Sequence, residues 1–95
     1  MIKVIAKHFI EEDKIKEFLE SASELVETSR KENGCVSYEL YQDINDPAVA
    51  TLIEEWENKT ALNEHMNSEP FKRIVPELTR FSRKKGVINV YKRII

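Results

Sequence analysis

The sequence predicts an α+β domain in which helices cover one face of a four-stranded antiparallel sheet. Apolar and polar residues alternate near the N-terminus and again from residue 35, which is typical of strands with one buried face. Between these two segments the apolar residues recur with the period of a helix. Similar patterns in the second half complete the order strand, helix, strand, strand, helix, strand.

The first strand is predicted over residues 2–10, because two sets of side chains alternate along it. One set is Ile2, Val4, Ala6, His8 and Ile10, and the other is Lys3, Ile5, Lys7 and Phe9. His8 is therefore predicted on the mostly apolar face. A long amphipathic helix follows from Glu11 or Asp13, and Asn33-Gly34 ends it, since glycine suits a left-handed cap.

A hairpin is predicted next, with strands over Cys35–Asp43 and Ala48–Trp56 and the polar turn Asn45-Asp46-Pro47 between them. Asn58 is then suited to cap a short helix. On that helix Leu62, His65 and Met66 fall at i, i+3 and i+4. This spacing places the imidazole on a stripe of core-type side chains, so it is predicted to face inward.

The residue pattern in the last third of the sequence predicts a second helical segment and a final strand. Ser68 caps the helical segment, and Pro70 lies in its first turn, where its missing N–H costs nothing. Pro76 lies inside the helical pattern and predicts a kink or a break. Gly86 opens the predicted last strand, Val87–Ile94, and the basic residues 83–85 are interpreted as a solvated turn before it.

This order is the ferredoxin-like arrangement, and it is predicted to form a single domain over residues 1–95. Its second sheet face also carries apolar residues, namely Ile5, Phe9, Val49, Ile53 and Tyr91. A monomer would expose these residues as a patch large enough for association. We therefore expect a homodimer in which two sheets pack face to face through an isologous contact.

The composition of the chain argues against several classes of function. The 95 residues include 15 basic and 17 acidic side chains, and the net charge of −2 argues against nucleic acid as the main partner. No apolar run approaches the roughly 20 residues that cross a bilayer, and the N-terminus does not resemble a signal peptide, so we expect a cytoplasmic protein and no membrane partner. The single cysteine, Cys35, is expected to be a small packing residue.

Several short motifs resemble one known family. They are Ile5-Ala6, Asn33-Gly34-Cys35, Glu54-x-Trp56 and Leu62-x-x-His65-x-x-Ser68-x-x-Phe71. Together they resemble the antibiotic biosynthesis monooxygenase domain, the small dimeric α+β barrel of cofactor-independent quinol and anthrone monooxygenases. The resemblance covers essentially the full length. It implies a homodimer that acts on a small aromatic substrate with dioxygen and needs no cofactor.

Two other branches of the family resemble this chain less. Haem-degrading members carry an axial histidine on the later helix, where this sequence has Val75, and an asparagine where it has His8. Valine cannot ligate iron, so we expect no haem chemistry. The isomerase branch usually has another aromatic residue in place of Trp56. No pair of ligands at i, i+3 or i+4 indicates a metal, and none is predicted.

The chemistry that the resemblance implies begins with loss of a proton from a phenol or quinol, before an electron passes to dioxygen. His65 is the candidate base, because burial in an apolar pocket favours the neutral imidazole. Trp56 is predicted to supply a flat surface for an aromatic substrate. Glu54, two residues earlier on the same side of the strand, is expected to orient a histidine, and His8 is a second imidazole for the same cavity.

Alternatives stay open at this point. Trp56 fills space between sheet and helix in the simplest structural interpretation, and His65 is then a core histidine bonded to a backbone carbonyl. Glu54 is then a solvated strand residue. At the level of function, the alternatives are a non-oxidative isomerase that moves a proton beside a carbonyl, and a ligand-binding or structural dimer without catalysis.

Overall fold

A computed structural model of the chain describes residues 1–95 and contains four strands and three helices. In chain order they are β1 (Ile2–Ile10), α1 (Ile15–Arg30), β2 (Cys35–Asp43), β3 (Asp46–Trp56), α2 (Lys59–Met66), α3 (Glu69–Arg80) and β4 (Ser82–Lys92). The strands form one antiparallel sheet in the order β2-β3-β1-β4. The predicted α+β, ferredoxin-like architecture is confirmed, with the second helical segment divided into α2 and α3.

The core lies between one sheet face and the helices. α1 contributes Phe18, Ala22, Leu25 and Val26, α3 contributes Ile74 and Leu78, and the strands contribute Val4, Ala6, Ile10, Tyr38, Ala50, Leu52 and Trp56. Each buried apolar side chain stabilises the fold by roughly 25 cal/mol per Å² removed from water. No helix is both long and apolar enough to cross a membrane.

The pairing register decides which side chains face the helices. On β1 and β3, Val4 pairs with Glu54 and His8 pairs with Ala50, and on β2 Tyr38 pairs with the same Glu54. Since alternate residues of a strand share a face, His8, Tyr38, Glu54 and Trp56 all lie on the helix side. The register therefore brings three strands' polar side chains to one face.

Local signals explain how the connections are made. Asn58 caps α2 by accepting a hydrogen bond from the backbone N–H of Ala61 at 2.8 Å, as predicted. Gly34 has a φ of 83°, which favours glycine. A Cβ at Gly34 would lie 2.5 Å from the Cβ of Ala61, so the missing side chain lets the turn after α1 approach α2 closely.

The predicted turn at Pro47 was wrong, and the break predicted as one alternative at Pro76 does not occur. β3 begins at Asp46, so Pro47 lies inside the strand and the hairpin turn contains only Ile44 and Asn45. α3 continues through Pro76 without a break. Pro76 is exposed, so it removes a backbone hydrogen bond on the solvent side of the helix, where water can satisfy the carbonyl of Lys72.

The predicted start of the last strand was also wrong. β4 begins at Ser82 and ends at Lys92, so the basic residues 83–85 belong to the strand. Gly86 lies where the β1–β4 register shifts between Lys7 and Phe9, and a Cβ there would be 2.7 Å from the carbonyl oxygen of Lys7. The glycine therefore marks a bulge within the strand, where the backbones approach closely.

We predict that Gly34→Ala lowers the free energy of unfolding by roughly 2 kcal/mol or more, because the new Cβ meets Ala61 and L side chains disfavour this φ. Urea unfolding measures the change. Lys31→Ala is the control, since Lys31 is an exposed residue of the same turn with a φ of −89°. Equal losses in the two variants would contradict the prediction.

Candidate active site

A cavity of about 140 Å³ lies between the sheet and helices α2 and α3. Its surface is mostly apolar and includes Leu52, Leu62, Phe71, Val75, Ile88 and Val90. Four side chains that can exchange or share a proton also line it, namely His8, Tyr38, Glu54 and His65. An apolar pocket with a few converging polar groups is the usual form of a small-molecule site.

His65 is the most enclosed of these groups, with 2% of its side chain exposed. Helix α2 turns it inward, as its spacing predicted. The ring centroid lies 4.5 Å from that of Trp56, 5.0 Å from that of Phe71 and 5.4 Å from that of Tyr38. Three aromatic rings from three different elements therefore fix the orientation of the imidazole.

The two nitrogens of this imidazole have different surroundings. Nδ1 lies 2.6 Å from Oε1 of Glu32, a hydrogen-bonding distance, whereas Nε2 lies 4.0 Å from Oε1 of Glu54. A carboxylate can only accept, so it selects the tautomer with the proton on Nδ1 and leaves Nε2 as the free acceptor. Burial lowers the pKa of His65, and the bond to Glu32 opposes that shift. Burial thus favours the neutral form of the imidazole.

The pKa of Glu54 is shifted in the opposite direction, upward. Its side chain is 6% exposed and accepts a hydrogen bond from the indole N–H of Trp56 at 3.0 Å. Burial raises the pKa of Glu54 to about 7, although the hydrogen bonds from Trp56 and Tyr38 oppose the shift. Burial also raises the pKa of Tyr38, which stays a neutral hydroxyl. Both protonation states of Glu54 are consequently accessible near neutral pH.

The structure brings three of the four residues proposed from the sequence to the cavity surface, and it places the fourth behind them. His8, Glu54 and His65 line the cavity, and the ring of His8 packs against Phe18 at 5.3 Å. Trp56 is fully buried and does not line the cavity. Its ring contacts His65, and its N–H binds Glu54. The indole therefore positions two other groups here and offers no open surface for stacking.

The role expected of Glu54 as the partner of a histidine nitrogen is filled by Glu32 in this structure, because Glu32 is 1.4 Å nearer to the imidazole (2.6 against 4.0 Å). Glu32 was missed from the sequence. It stands in the turn after α1, where a carboxylate usually faces water. The only local signal is Gly34, which permits the turn to reach α2.

Cys35 is partly buried beside this turn and has no disulfide partner. Burial raises the pKa of its thiol, and the carboxylates of Glu32 and Glu54 raise it further. A thiol of raised pKa is a poor nucleophile, which agrees with the packing role expected from the sequence.

Comparison with known proteins identifies the family. The family model described as antibiotic biosynthesis monooxygenase matches residues 1–77, which include Glu32, Glu54, Trp56 and His65. The chain belongs to the antibiotic biosynthesis monooxygenase family. The resemblance seen in the sequence motifs is thereby confirmed.

Solved structures and one curated relative are similar to this member of the antibiotic biosynthesis monooxygenase family. A crystal structure described as an antibiotic biosynthesis monooxygenase is 37% identical, with full coverage of both chains and a TM-score of 0.96. A conserved protein from Methanosarcina mazei Go1 is 35% identical, with a TM-score of 0.95, over 98% of this chain and 92% of that one. The uncharacterised Synechocystis protein sll1783 is 31% identical over 83 residues. That match covers 87% of this chain and 56% of the relative, so the chain spans little more than half of it.

We predict that Glu54→Gln removes a pH dependence of stability. Because the folded-state pKa of Glu54 is raised from 4.5 to about 7, its favourable contribution is complete below pH 4.5 and is lost as the pH rises to 7. The parent should therefore lose up to about 3 kcal/mol relative to the glutamine variant over this range. Urea unfolding of both proteins from about pH 4 to about pH 8, a range that extends slightly beyond this window at both ends, measures the difference. Parallel curves would refute the assignment.

Proposed function

We propose that this chain is a monooxygenase that oxidises a small quinol-like aromatic compound with dioxygen and uses no bound cofactor. The observation that carries the proposal is the buried imidazole of His65, bonded at Nδ1 to a carboxylate, on the surface of an apolar cavity. The family and the monooxygenase description of the 37% identical structure support the reaction class.

The proposed reaction begins when Nε2 of His65 accepts the proton of a substrate hydroxyl. The resulting anion transfers one electron to dioxygen, and the two radicals combine to a peroxide anion at a ring carbon. This anion takes back the proton from His65 and becomes a hydroperoxide. Loss of water then leaves a new carbonyl, so one oxygen atom enters the product and the other leaves as water. The substrate supplies all the electrons. The protonated form of Glu54 can donate a proton to the departing oxygen.

The size of the cavity supports a single-ring substrate. A cavity of about 150 Å³ in another protein binds benzene, and this cavity measures about 140 Å³. Ile88 and Val90 line it on β4 and are 64% and 55% exposed, so this side of the cavity is open. A quinol or catechol would fit within it, whereas a three-ring anthrone would extend past β4.

A second candidate function has its own supporting observation. Glu54 and His65 form a pair, 4.0 Å apart, whose members can act as acid and base near neutral pH. Such a pair can move a proton beside a carbonyl group without oxygen, as an isomerase does. Turnover of a small hydroxycarbonyl compound under strict anaerobiosis would favour this function over oxygenation.

We also propose that the working form is a homodimer. The register pairs Ile5 with Ile53, Phe9 with Val49 and Lys3 with Tyr91, which places the predicted apolar set on the face without helices. In the single chain Tyr91 is 49% exposed and Ile5, Phe9 and Ile53 are partly exposed, whereas Val49 is already buried. A second copy packed on this face would remove that apolar area from water.

The test of the enzymatic proposal is His65→Gln, which keeps a polar side chain but removes the base. With a panel of one-ring quinols and catechols, the parent should accelerate oxygen consumption and the variant should be slower by about 100-fold or more. Asn63→Ala, at an exposed position of the same helix, is the control and should match the parent. Full activity of the glutamine variant would disprove the role of His65.

The test of the dimer is Ile53→Glu, which places a charge in the middle of the uncovered face. Light scattering should show a dimer for the parent and a monomer for the variant, because an unpaired charge is costly to bury. Ser23→Glu, on the exposed side of α1, should remain dimeric. A monomeric parent at micromolar concentration would contradict the proposal.

A further inference from the structure

Glu32 contacts the site from outside the cavity. It lies in the turn after α1, does not line the cavity, and has 22% of its side chain exposed. Its carboxylate is 2.6 Å from Nδ1 of His65, whose side chain is 2% exposed. His65 and Glu32 therefore connect the cavity surface to a carboxylate that water can reach.

The other titratable groups that face His65 provide no such route. Glu54 on β3 and Tyr38 on β2 are both buried. His8 on β1 lines the cavity and is partly exposed, but it makes neither a hydrogen bond nor a ring contact with His65. The ring contacts of His65 with Trp56 and Phe71 cannot carry a proton. Among the ionisable contacts of the imidazole, Glu32 alone has a partly exposed side chain.

We propose that Glu32 is the proton-exchange residue of this site. When Nε2 of His65 gains a proton from a ligand, the N–H bond at Nδ1 breaks and an O–H bond forms on Glu32. The imidazole is neutral again, and the proton is held away from the ligand anion. The reverse transfer returns it, so the step consumes no oxidant or reductant. Its use in turnover rests on the proposed function, but the link between Glu32 and His65 exists in the resting protein.

The burial of the imidazole opposes a lasting positive charge on it. A positive charge on an imidazole that is only 2% exposed costs desolvation energy, and transfer of the proton to Glu32 removes that charge. Glu32 can then release its proton to water, because part of its side chain is exposed. A residue that only oriented the ring would need the hydrogen bond but not the capacity to ionise.

Whether Glu32 takes up a proton or only orients the ring can be tested in the resting protein. NMR of ¹⁵N-histidine-labelled protein measures the tautomer of His65 and the exchange of its Nδ1 proton with water, with His8 as the internal reference. Glu32→Gln keeps an acceptor for Nδ1 but cannot take up a proton. We expect the tautomer to be retained and the exchange to be slower by about tenfold or more. Exchange as fast as in the parent would overturn the proposal.

Two further variants complete this measurement. Glu27→Gln, at an exposed position of α1, should exchange like the parent. Glu32→Ala opens space next to Nδ1, and added acetate should restore rapid exchange, because a free carboxylate can replace the missing one. If acetate has no effect while the alanine variant remains folded, the proposal is wrong.

Measurements of turnover and of proton exchange together distinguish the role of Glu32 from the proposed oxygenase function. Once a substrate is found, Glu32→Gln should lower kcat by about tenfold and change KM little, since Glu32 does not line the cavity. Parent-like kcat and exchange would refute the role of Glu32 and leave the oxygenase intact. An inactive parent with slowed exchange in the glutamine variant would refute the oxygenase and leave the proton link intact.

Discussion

The hydrogen bond between His65 and Glu32 is the contact on which the rest of the site depends. A buried imidazole is costly unless its N–H group is bonded, and the carboxylate at 2.6 Å satisfies that requirement. The bond exists because Gly34 lets the turn after α1 lie against α2. Trp56 then packs on the ring and binds Glu54, so one buried polar contact ties together the turn, α2 and β3.

Elements governed by local chemistry could be predicted from the sequence. The alternation of side chains gave both bounds of β1 and β2 correctly, and Asn58 and Ser68 cap the helices as expected. One error arose where a distant part of the chain decides the outcome. Gly86 was interpreted as the start of a strand, but its role is set by the carbonyl of Lys7, about 80 positions away in sequence.

In the site, too, features set by local spacing could be predicted and features set by distant contacts could not. The inward position of His65 follows from helical spacing, and the helix-side position of Glu54 and His8 follows from strand alternation. The burial of Trp56 behind His65 depends on how α2 settles on the sheet, which spacing does not encode. Glu32 is 33 positions from His65 in sequence, and nothing local to a turn glutamate indicates such a contact.

The open side of the cavity has a consequence for how this scaffold diversifies. Ile88 and Val90 lie on an edge strand, whereas the buried imidazole and its two carboxylates are held by α2, the turn after α1 and β3. Substitutions on β4 can therefore reshape the entrance without disturbing the imidazole and its carboxylates. Relatives of such a chain can therefore differ in the ligands they admit while they keep the same buried histidine and carboxylates.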